Sequence, residues 1–178
     1  MRIIAGKYKG RKLPELKASG VRPTLDRVRE NFFNIISNKI VDSTFLDLFS
    51  GSGAMGVEAI SRGAERVVFC DKSKEIVSYI LKVGSLLGEK IEIYNSDYRA
   101  ILKRLDLSFD IIYVDPPYET DGNEVLNDIY QSSVCDENSL VVYERSFEKP
   151  FVNGTDFEVL DERKYGIAVL TFLRKKNG

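Results

Sequence analysis

The chain has 178 residues, of which 43% are apolar and 30% are charged, and its net charge is −1. This length predicts a single domain over residues 1–178. No apolar run reaches the roughly 20 residues of a membrane span, and the first residues lack the apolar segment of a signal peptide. The two cysteines are too few for a disulfide framework or a zinc site, and histidine is absent. We therefore expect a cytoplasmic protein without a metal.

Positive charge is concentrated at the N-terminus. Residues 1–30 contain nine Lys or Arg and three acidic residues, which gives this part a net charge of +6 and the remainder −7. A basic arm on an acidic body favours a polyanionic partner that contacts mainly one end, although a solubilising terminus is the alternative. The side chains that we expect to bind a nucleic acid substrate are Lys9, Arg11, Lys12 and Arg22.

The first elements form a basic N-terminal extension over residues 1–23. Segments 2–6 and 9–13 lie around Gly6 and Gly10, which predicts a short β-hairpin. After a loop, Thr24 is a suitable N-cap for a helix. The predicted apolar face of this helix comprises Leu25, Val28, Phe32, Ile35 and Ile36.

From residue 44 onward, short apolar strands alternate with helices. This alternation predicts right-handed crossovers and a parallel sheet, as in an α/β protein. Near the end, segments 157–161 and 167–174 are separated by a turn without a helix, which predicts a hairpin with at least one antiparallel strand. The predicted strands of the alternating part are 45–49, 66–70, 90–94, 109–114 and 140–144, and the predicted helices are 54–62, 74–87, 98–105 and 124–131.

A glycine-rich loop follows the first parallel strand and leads into a helix. Gly51, Gly53 and Gly56 match the pattern G-x-G-x-x-G, in which glycines allow a sharp turn and a close approach of the backbone to a ligand. The pattern does not separate a nicotinamide site from an S-adenosylmethionine site, and it also fits a tight turn that binds nothing. No Gly-Lys-Ser or Gly-Lys-Thr follows, so the loop is not a phosphate-binding P-loop.

Three acidic residues in or shortly after the predicted strands are candidate ligand contacts. Asp47 precedes the glycines, where a carboxylate would repel a pyrophosphate but attract the cationic methionine portion of S-adenosylmethionine. Asp71 could accept hydrogen bonds from both ribose hydroxyls, which fits NAD equally well, or it could cap the following helix. Asp97 could accept from an adenine amino group, cap the helix that starts at Tyr98, or do both.

The most distinctive segment is Asp115-Pro116-Pro117-Tyr118, which follows the apolar strand at 109–114. Its two prolines fix φ and remove two N–H groups, so the turn is rigid and its carbonyls can accept hydrogen bonds. We expect this strand beside the glycine-loop strand, which would turn the corner toward the same cleft. The alternative is a stiff turn that carries a surface tyrosine.

An acid, a carbonyl and an aromatic ring at one corner suit a planar base that carries an amino group. The Asp115 carboxylate and the Pro116 carbonyl would accept both N–H bonds of the amine, so that its lone pair can point at a sulfonium methyl group. Tyr118 would stack on the base, which is worth roughly 1–3 kcal/mol. The amine loses its proton after it gains the methyl group, so the lack of histidine is no obstacle. The base must come from an unpaired loop or flip out of a helix.

Further motifs lie outside the loop and the corner. They are Arg2-Ile3-Ile4-Ala5-Gly6, Gly10-Arg11-Lys12-Leu13, Arg22-Pro23-Thr24, Asp26-Arg27-Val28-Arg29-Glu30 and Arg163-Lys164-Tyr165-Gly166. With them, the sequence resembles over essentially its whole length the bacterial methyltransferases that modify N2 of a guanine in 16S ribosomal RNA, the guanine-966 type. The glycine loop and the Asp-Pro-Pro-Tyr corner alone identify only amino-methyltransferases in general.

The resemblance implies a class I S-adenosylmethionine-dependent methyltransferase with a Rossmann-like, seven-stranded, mostly parallel sheet. It also implies catalytic and base-stacking roles for Asp115, Pro116 and Tyr118, and 16S rRNA within an assembling 30S subunit as the substrate. We expect a monomer. The cofactor-binding residues of this interpretation are Thr24, Asp47, Phe49, Gly51, Gly53, Asp71 and Asp97.

Three other functions remain open from the residues alone. A DNA adenine-N6 methyltransferase would use the same corner, but the chain is short for a separate target-recognition domain. A nicotinamide oxidoreductase would use the glycine pattern and leave the corner without a role. An RNA-binding module that keeps the fold without catalysis would not need Asp115.

Overall fold

The structure is a computed structural model that describes residues 1–17, 26–152, 154 and 156–176. Strands and helices alternate from residue 44 as predicted, with most boundaries within two residues of the expected ones. In chain order the elements are α1 (Asp26–Ile35), β1 (Thr44–Asp47), α2 (Ala54–Ser61), β2 (Arg66–Asp71), α3 (Lys74–Leu87), β3 (Glu92–Asn95), α4 (Tyr98–Arg104), β4 (Ile111–Val114), α5 (Gly122–Gln131), β5 (Leu140–Ser146), β6 (Phe157–Tyr165) and β7 (Ala168–Lys175).

In the described part of the chain the strands form one seven-stranded sheet in the order β3-β2-β1-β4-β5-β7-β6. Strand β1 pairs in parallel with β2 and β4, and β4 pairs in parallel with β5. Strand β7 runs antiparallel to both β5 and β6. These pairings confirm the predicted mostly parallel sheet with an antiparallel C-terminal hairpin. We call the edge where β1, β2 and β4 end the carboxyl edge, and the opposite edge the amino edge.

Helices cover both faces of the sheet, so the central strands are buried on each side. Helices α1, α2 and α3 pack on one face, and α4 and α5 pack on the other. On the first face the Phe32 ring lies 5.1 Å from the Tyr113 ring, with an edge-to-face arrangement that favours aromatic packing. None of the helices in residues 1–17, 26–152, 154 and 156–176 has the length and apolar composition to cross a bilayer.

Among the described residues, the buried face of helix α1 agrees with the predicted one except at Ile35. Val28, Phe32 and Ile36 are at most 1% exposed, as expected, but Ile35 is 40% exposed. The buried face centres between Phe32 and Phe33, and at 3.6 residues per turn Ile35 lies roughly 110° away from that centre. The predicted cap Thr24 and the apolar Leu25 lie outside the described residues.

The N-terminal segment folds back on itself and rests against α2. An antiparallel bridge joins Arg2 to Lys12, so the predicted hairpin is present with a very short ladder. Gly6 has φ of 81°, and a Cβ at this position would overlap the carbonyl of Ser61. Only glycine therefore fits at this contact. Helix α2 runs back from the carboxyl edge, so Ser61 at its end places the segment near the amino edge.

Glu58 of α2 anchors the N-terminal segment. Its side chain is 1% exposed, and its two oxygens accept from the backbone N–H groups of Ile4 and Ala5, each at 3.0 Å. The same carboxylate pairs with Arg62 at 2.9 Å and faces the buried Arg29 at 3.7 Å. Glu58 therefore neutralises buried positive charge and satisfies two backbone donors at once.

We predict that Glu58→Gln lowers the free energy of unfolding by about 3 kcal/mol, because a buried charge network loses one partner. The amide also presents an N–H group to a backbone donor. Urea denaturation measures the change, and Glu137→Gln, which replaces an exposed carboxylate, is the matched control. An equal effect in both variants would show that the anchor adds no stability.

Candidate cofactor site and catalytic corner

The glycine loop and the proline corner emerge side by side from neighbouring strands. The loop follows β1, the corner follows β4, and these strands pair in parallel with Asp47 opposite Tyr113. The strand order reverses between β1 and β4, and such reversal points form the ligand crevices of open α/β sheets. The expectation that β4 lies beside the glycine-loop strand is confirmed, so both motifs leave the sheet at its carboxyl edge.

Each glycine of the loop has a distinct role. Gly51 and Gly53 have φ of 50° and 72°, a left-handed conformation that side chains other than glycine rarely adopt. Gly53 also precedes α2 without a side-chain cap. At Gly56 a Cβ would overlap the Phe69 ring of β2, so this glycine allows close helix–sheet packing. The loop thus leaves a backbone cradle at a helix N-terminus, which fits the adenosyl and methionine portions of a nucleoside cofactor.

Asp47 binds the backbone of this segment at Gly56, in the first turn of helix α2. Its carboxylate is 2% exposed and accepts from the backbone N–H of Gly56 at 3.1 Å. Burial raises the pKa of the Asp47 carboxyl to about 7, the bond from Gly56 opposes the rise, and the Asp71 carboxylate adds to it. The structure therefore shows a bracing role for Asp47, and its contact with a cationic ligand stays a prediction.

Asp71 links the glycine loop to the start of α3. Its two carboxylate oxygens accept from Gly51 N at 3.0 Å and Ser73 N at 2.9 Å. The N-cap of α3 is Ser73, whose hydroxyl accepts from Ile76 N, so the alternative that Asp71 caps this helix is wrong. Each carboxylate oxygen can accept a second hydrogen bond, which keeps the carboxylate suited to a ribose diol.

Asp97 and Phe49 follow β3 and β1 at the same carboxyl edge, on the α4 side of the sheet. Asp97 is the N-cap of α4 and accepts from Arg99 N at 3.0 Å, which confirms the capping role and leaves the contact with adenine as a prediction. The half-buried Phe49 ring lies 5.3 Å from the Tyr98 ring. An apolar ring and an exposed acceptor near the ends of β1 and β3 fit a flat aromatic group that carries an amine.

Contacts from the following loop, from β5 and from Lys149 hold the Asp-Pro-Pro-Tyr corner in place. Thr120 N donates to Pro117 O at 2.9 Å, and α5 begins directly afterwards at Gly122, where a Cβ would overlap the Tyr143 hydroxyl. Asp115 and Pro116 are half-buried, whereas Tyr118 is 67% exposed. The Lys149 ammonium lies 4.1 Å from the centre of the Tyr118 ring and donates to the Tyr118 carbonyl. An exposed ring on a fixed corner can stack on a base.

The sequence reasoning missed a hydrogen-bonded pair beneath the corner, the buried Tyr113 and the half-buried Glu144. Tyr113 is 1% exposed, and its hydroxyl donates to Glu144 of β5. Burial, with the charges of Glu144 and Asp115, raises the pKa of Tyr113 well above its ordinary value, so the phenol stays protonated. Two features of the sequence could have indicated this pair. Glu144 directly follows the apolar part of β5, and Tyr113 precedes Asp115 by two positions.

The predicted substrate-binding cations of the N-terminal segment lie away from the corner. Arg11 donates to the Leu86 carbonyl at 2.7 Å, near the end of α3. Helix α3 starts beside Asp71 and is roughly 20 Å long at 1.5 Å per residue, so Leu86 lies toward the amino edge. Lys9 and Lys12 are exposed. Arg22 lies outside the described residues, as does Thr24.

Residues 1–174 match the model of a protein family described as conserved hypothetical protein 95. Ribosomal RNA small subunit methyltransferase D of Haemophilus influenzae is 34% identical over 173 residues, which cover 94% of this chain and 90% of that protein. The protein of the same name from Escherichia coli is 39% identical over 119 residues, which cover 66% of this chain and 60% of that protein. The solved structure of the Escherichia coli yhhF protein covers 99% of each chain, with 31% identity and a TM-score of 0.86.

The strand order, the glycine cradle and the proline corner define a class I methyltransferase that uses S-adenosylmethionine. The fold class and the enzyme class implied by the resemblance are thereby confirmed. The chain belongs to the conserved hypothetical protein 95 family, which is the family of the ribosomal RNA small subunit methyltransferase D proteins.

The raised pKa of Asp47 predicts a pH-dependent stability. Between its ordinary pKa of 3.8 and about 7, unfolding releases a proton that the folded state keeps, so the stability from this group falls as pH rises. Asp47→Asn removes the titration. The difference in unfolding free energy, variant minus wild type, should rise by up to about 1.4 kcal/mol per pH unit across this window. Urea titrations at several pH values test this, and a constant difference would contradict it.

Proposed function

We propose that the chain transfers a methyl group from S-adenosylmethionine to the exocyclic N2 amine of a guanine in 16S rRNA. The position of the Asp115-Pro116-Pro117-Tyr118 corner at the end of β4, beside the glycine loop, carries this proposal. The names of the relatives support ribosomal RNA of the small subunit as the substrate. The choice of guanine N2 rests on the sequence resemblance. We further infer that the enzyme acts as a monomer in the cytoplasm, on rRNA within an assembling 30S subunit.

The residues that would hold the cofactor surround the glycine loop. Asp71 would accept from the ribose hydroxyls, Asp97 from the adenine amine, and Phe49 would contact the adenine ring. Asp47 and the loop glycines Gly51 and Gly53 would face the methionine portion, with Thr24 near its carboxylate. When bound, S-adenosylmethionine supplies a sulfonium methyl group as the electrophile. A nearby positive charge would favour the ionised form of Asp47.

The corner residues would prepare the nucleophile. The Asp115 carboxylate and the Pro116 carbonyl accept the two N–H bonds of the base amine, which favours a tetrahedral nitrogen with a directed lone pair. Tyr118 stacks on the base and keeps its plane fixed. Holding both reacting groups in line can supply up to about 7–11 kcal/mol of the barrier reduction. The chain contains no histidine, and none is required for this chemistry.

Aromatic and cationic side chains next to the corner fit the RNA that flanks the target. Phe147, which follows β5, is 57% exposed, and the Lys164 ammonium lies 3.2 Å from the centre of its ring. Lys149 covers the Tyr118 ring in the same way. Bases could replace the ammonium groups on these rings, and the lysines could then pair with phosphates. We name Tyr118, Phe147, Lys149 and Lys164 the aromatic rim.

Asp115→Ala is the direct test of the proposed reaction. We expect it to lower kcat by on the order of 10²–10³-fold, because an oriented acceptor at the reacting amine is lost. Cofactor affinity should remain, since Asp115 lies outside the glycine loop. The measurement is mass spectrometry of nucleosides from 16S rRNA of cells that lack the gene and carry wild type or variant.

Glu119→Gln, an exposed carboxylate on the same loop, is the matched control and should restore N2-methylguanosine like wild type. Full modification with Asp115→Ala would contradict a catalytic role of the corner. A gain of N6-methyladenine in DNA, with no change in rRNA, would instead support the DNA alternative.

The salt dependence of RNA binding tests whether the aromatic rim and the basic N-terminal arm contact RNA phosphates. Each lost phosphate contact should reduce the slope of log K against log salt by about 0.7. We predict a reduction for the aromatic-rim double variant Lys149→Ala and Lys164→Ala, and also for the arm triple variant Lys9→Ala, Arg11→Ala and Lys12→Ala. Binding of 16S rRNA or 30S subunits in the presence of S-adenosylhomocysteine gives the slopes. An unchanged slope in the triple variant would show that the arm lies away from RNA.

A further inference from the structure

Glu144 lies next to the catalytic corner although it belongs to another strand. Strands β4 and β5 pair in parallel as far as Val114 and Tyr143, and Asp115 and Glu144 are the residues that directly follow this last pair. Neighbouring strands lie roughly 4.8 Å apart, and side chains alternate between the two faces of a sheet. Glu144 bonds to the Tyr113 hydroxyl and is therefore on the same face as Tyr113, toward α1.

The charges around Tyr113 show that these carboxylates share one neighbourhood. The side chains that raise the pKa of the Tyr113 hydroxyl include Glu144, Asp115 and Asp47. The hydroxyl stays protonated and donates to Glu144 Oε2. Glu144 is thereby held in one orientation as an acceptor, and each oxygen of a carboxylate can accept more than one hydrogen bond.

Guanine and adenine differ at the ring nitrogen beside the reactive amine. In guanine, N1 carries a hydrogen next to the N2 amine, so the edge presents adjacent donors. In adenine, N1 beside the N6 amine carries no hydrogen and is an acceptor. A fixed carboxylate beside the amine site would pair with guanine and repel adenine, and a site built for a hydrogen bond strongly rejects a base that cannot make it.

We propose that Glu144, oriented by the Tyr113 hydroxyl, accepts the N1–H of the target guanine and so selects guanine N2 over adenine N6. This inference rests on the proposed function, because it assigns the base-reading contact of the same site. Asp115 and Pro116 hold the amine, and Glu144 reads the adjacent ring position. Tyr113 is a positioning residue in this arrangement, since it acts through Glu144.

The test uses 16S rRNA in which 2-aminopurine replaces the target guanine. 2-Aminopurine keeps the N2 amine, but its N1 has no hydrogen. With wild type, kcat/KM should be at least about 100-fold higher for guanine, as expected when a charged acceptor meets a ring nitrogen lone pair. In Glu144→Gln the amide can donate to N1 of 2-aminopurine or accept from guanine, so the preference should fall by at least about tenfold.

A second readout does not depend on catalysis. In the presence of S-adenosylhomocysteine, the relative affinity of the two RNAs should shift in the same direction in Glu144→Gln. The matched control is Glu162→Gln, an exposed carboxylate that pairs with Arg145 and Thr171. It should keep the wild-type preference. Tyr113→Phe retains the ring and should reduce the preference less than Glu144→Gln, mainly through KM.

The outcomes separate this inference from the proposed function. Methylation of guanine by wild type, with the same guanine preference in Glu144→Gln, would overturn the role of Glu144 and leave the function intact. Failure of wild type to methylate either RNA would overturn both. If Glu144→Gln loses affinity for S-adenosylhomocysteine, Tyr113→Phe becomes the deciding variant, and an unchanged preference there would overturn the inference.

Discussion

Two carboxylates that bind backbone N–H groups hold the site together. Asp47 at the end of β1 binds Gly56 N, and Asp71 at the end of β2 binds Gly51 N. These bonds fix the glycine loop between two strands and keep its backbone open toward the carboxyl edge. Asp47 is held at a cost, since burial raises its pKa to about 7. Strongly perturbed pKa values are typical of functional sites, although structural networks also produce them.

The position of the corner follows from this arrangement. Strand β4 pairs directly with β1, so any residue that follows Val114 emerges beside the glycine loop. The prolines then limit where the Asp115 carboxylate can point. Strand β5 adds Glu144 from the other side, and the buried Tyr113 ties it to β4. The glycine loop, the corner and Glu144 are thus neighbours because β1, β4 and β5 are adjacent parallel strands that run toward one edge.

The sequence predicted well those features that depend on local pattern. Alternating apolar runs gave the sheet, and Asp115 and the loop glycines lie at the strand ends where they were expected. Contacts between distant segments could not be predicted, because no local pattern encodes their partner. The Glu58 anchor of Ile4 and Ala5 is one example, and the Tyr113–Glu144 bond is another. The distribution of charge predicted a basic N-terminal arm, but it could not show that the described part of this arm folds toward the amino edge.

We infer that the loop backbone held by Asp47 and Asp71 is specific for a methyl-donor nucleoside. Isothermal titration of the full chain with S-adenosylhomocysteine and, separately, with NAD tests it most directly. We expect saturable binding of S-adenosylhomocysteine at one site per chain, and no saturable binding of NAD. Saturable binding of NAD without binding of S-adenosylhomocysteine would contradict it.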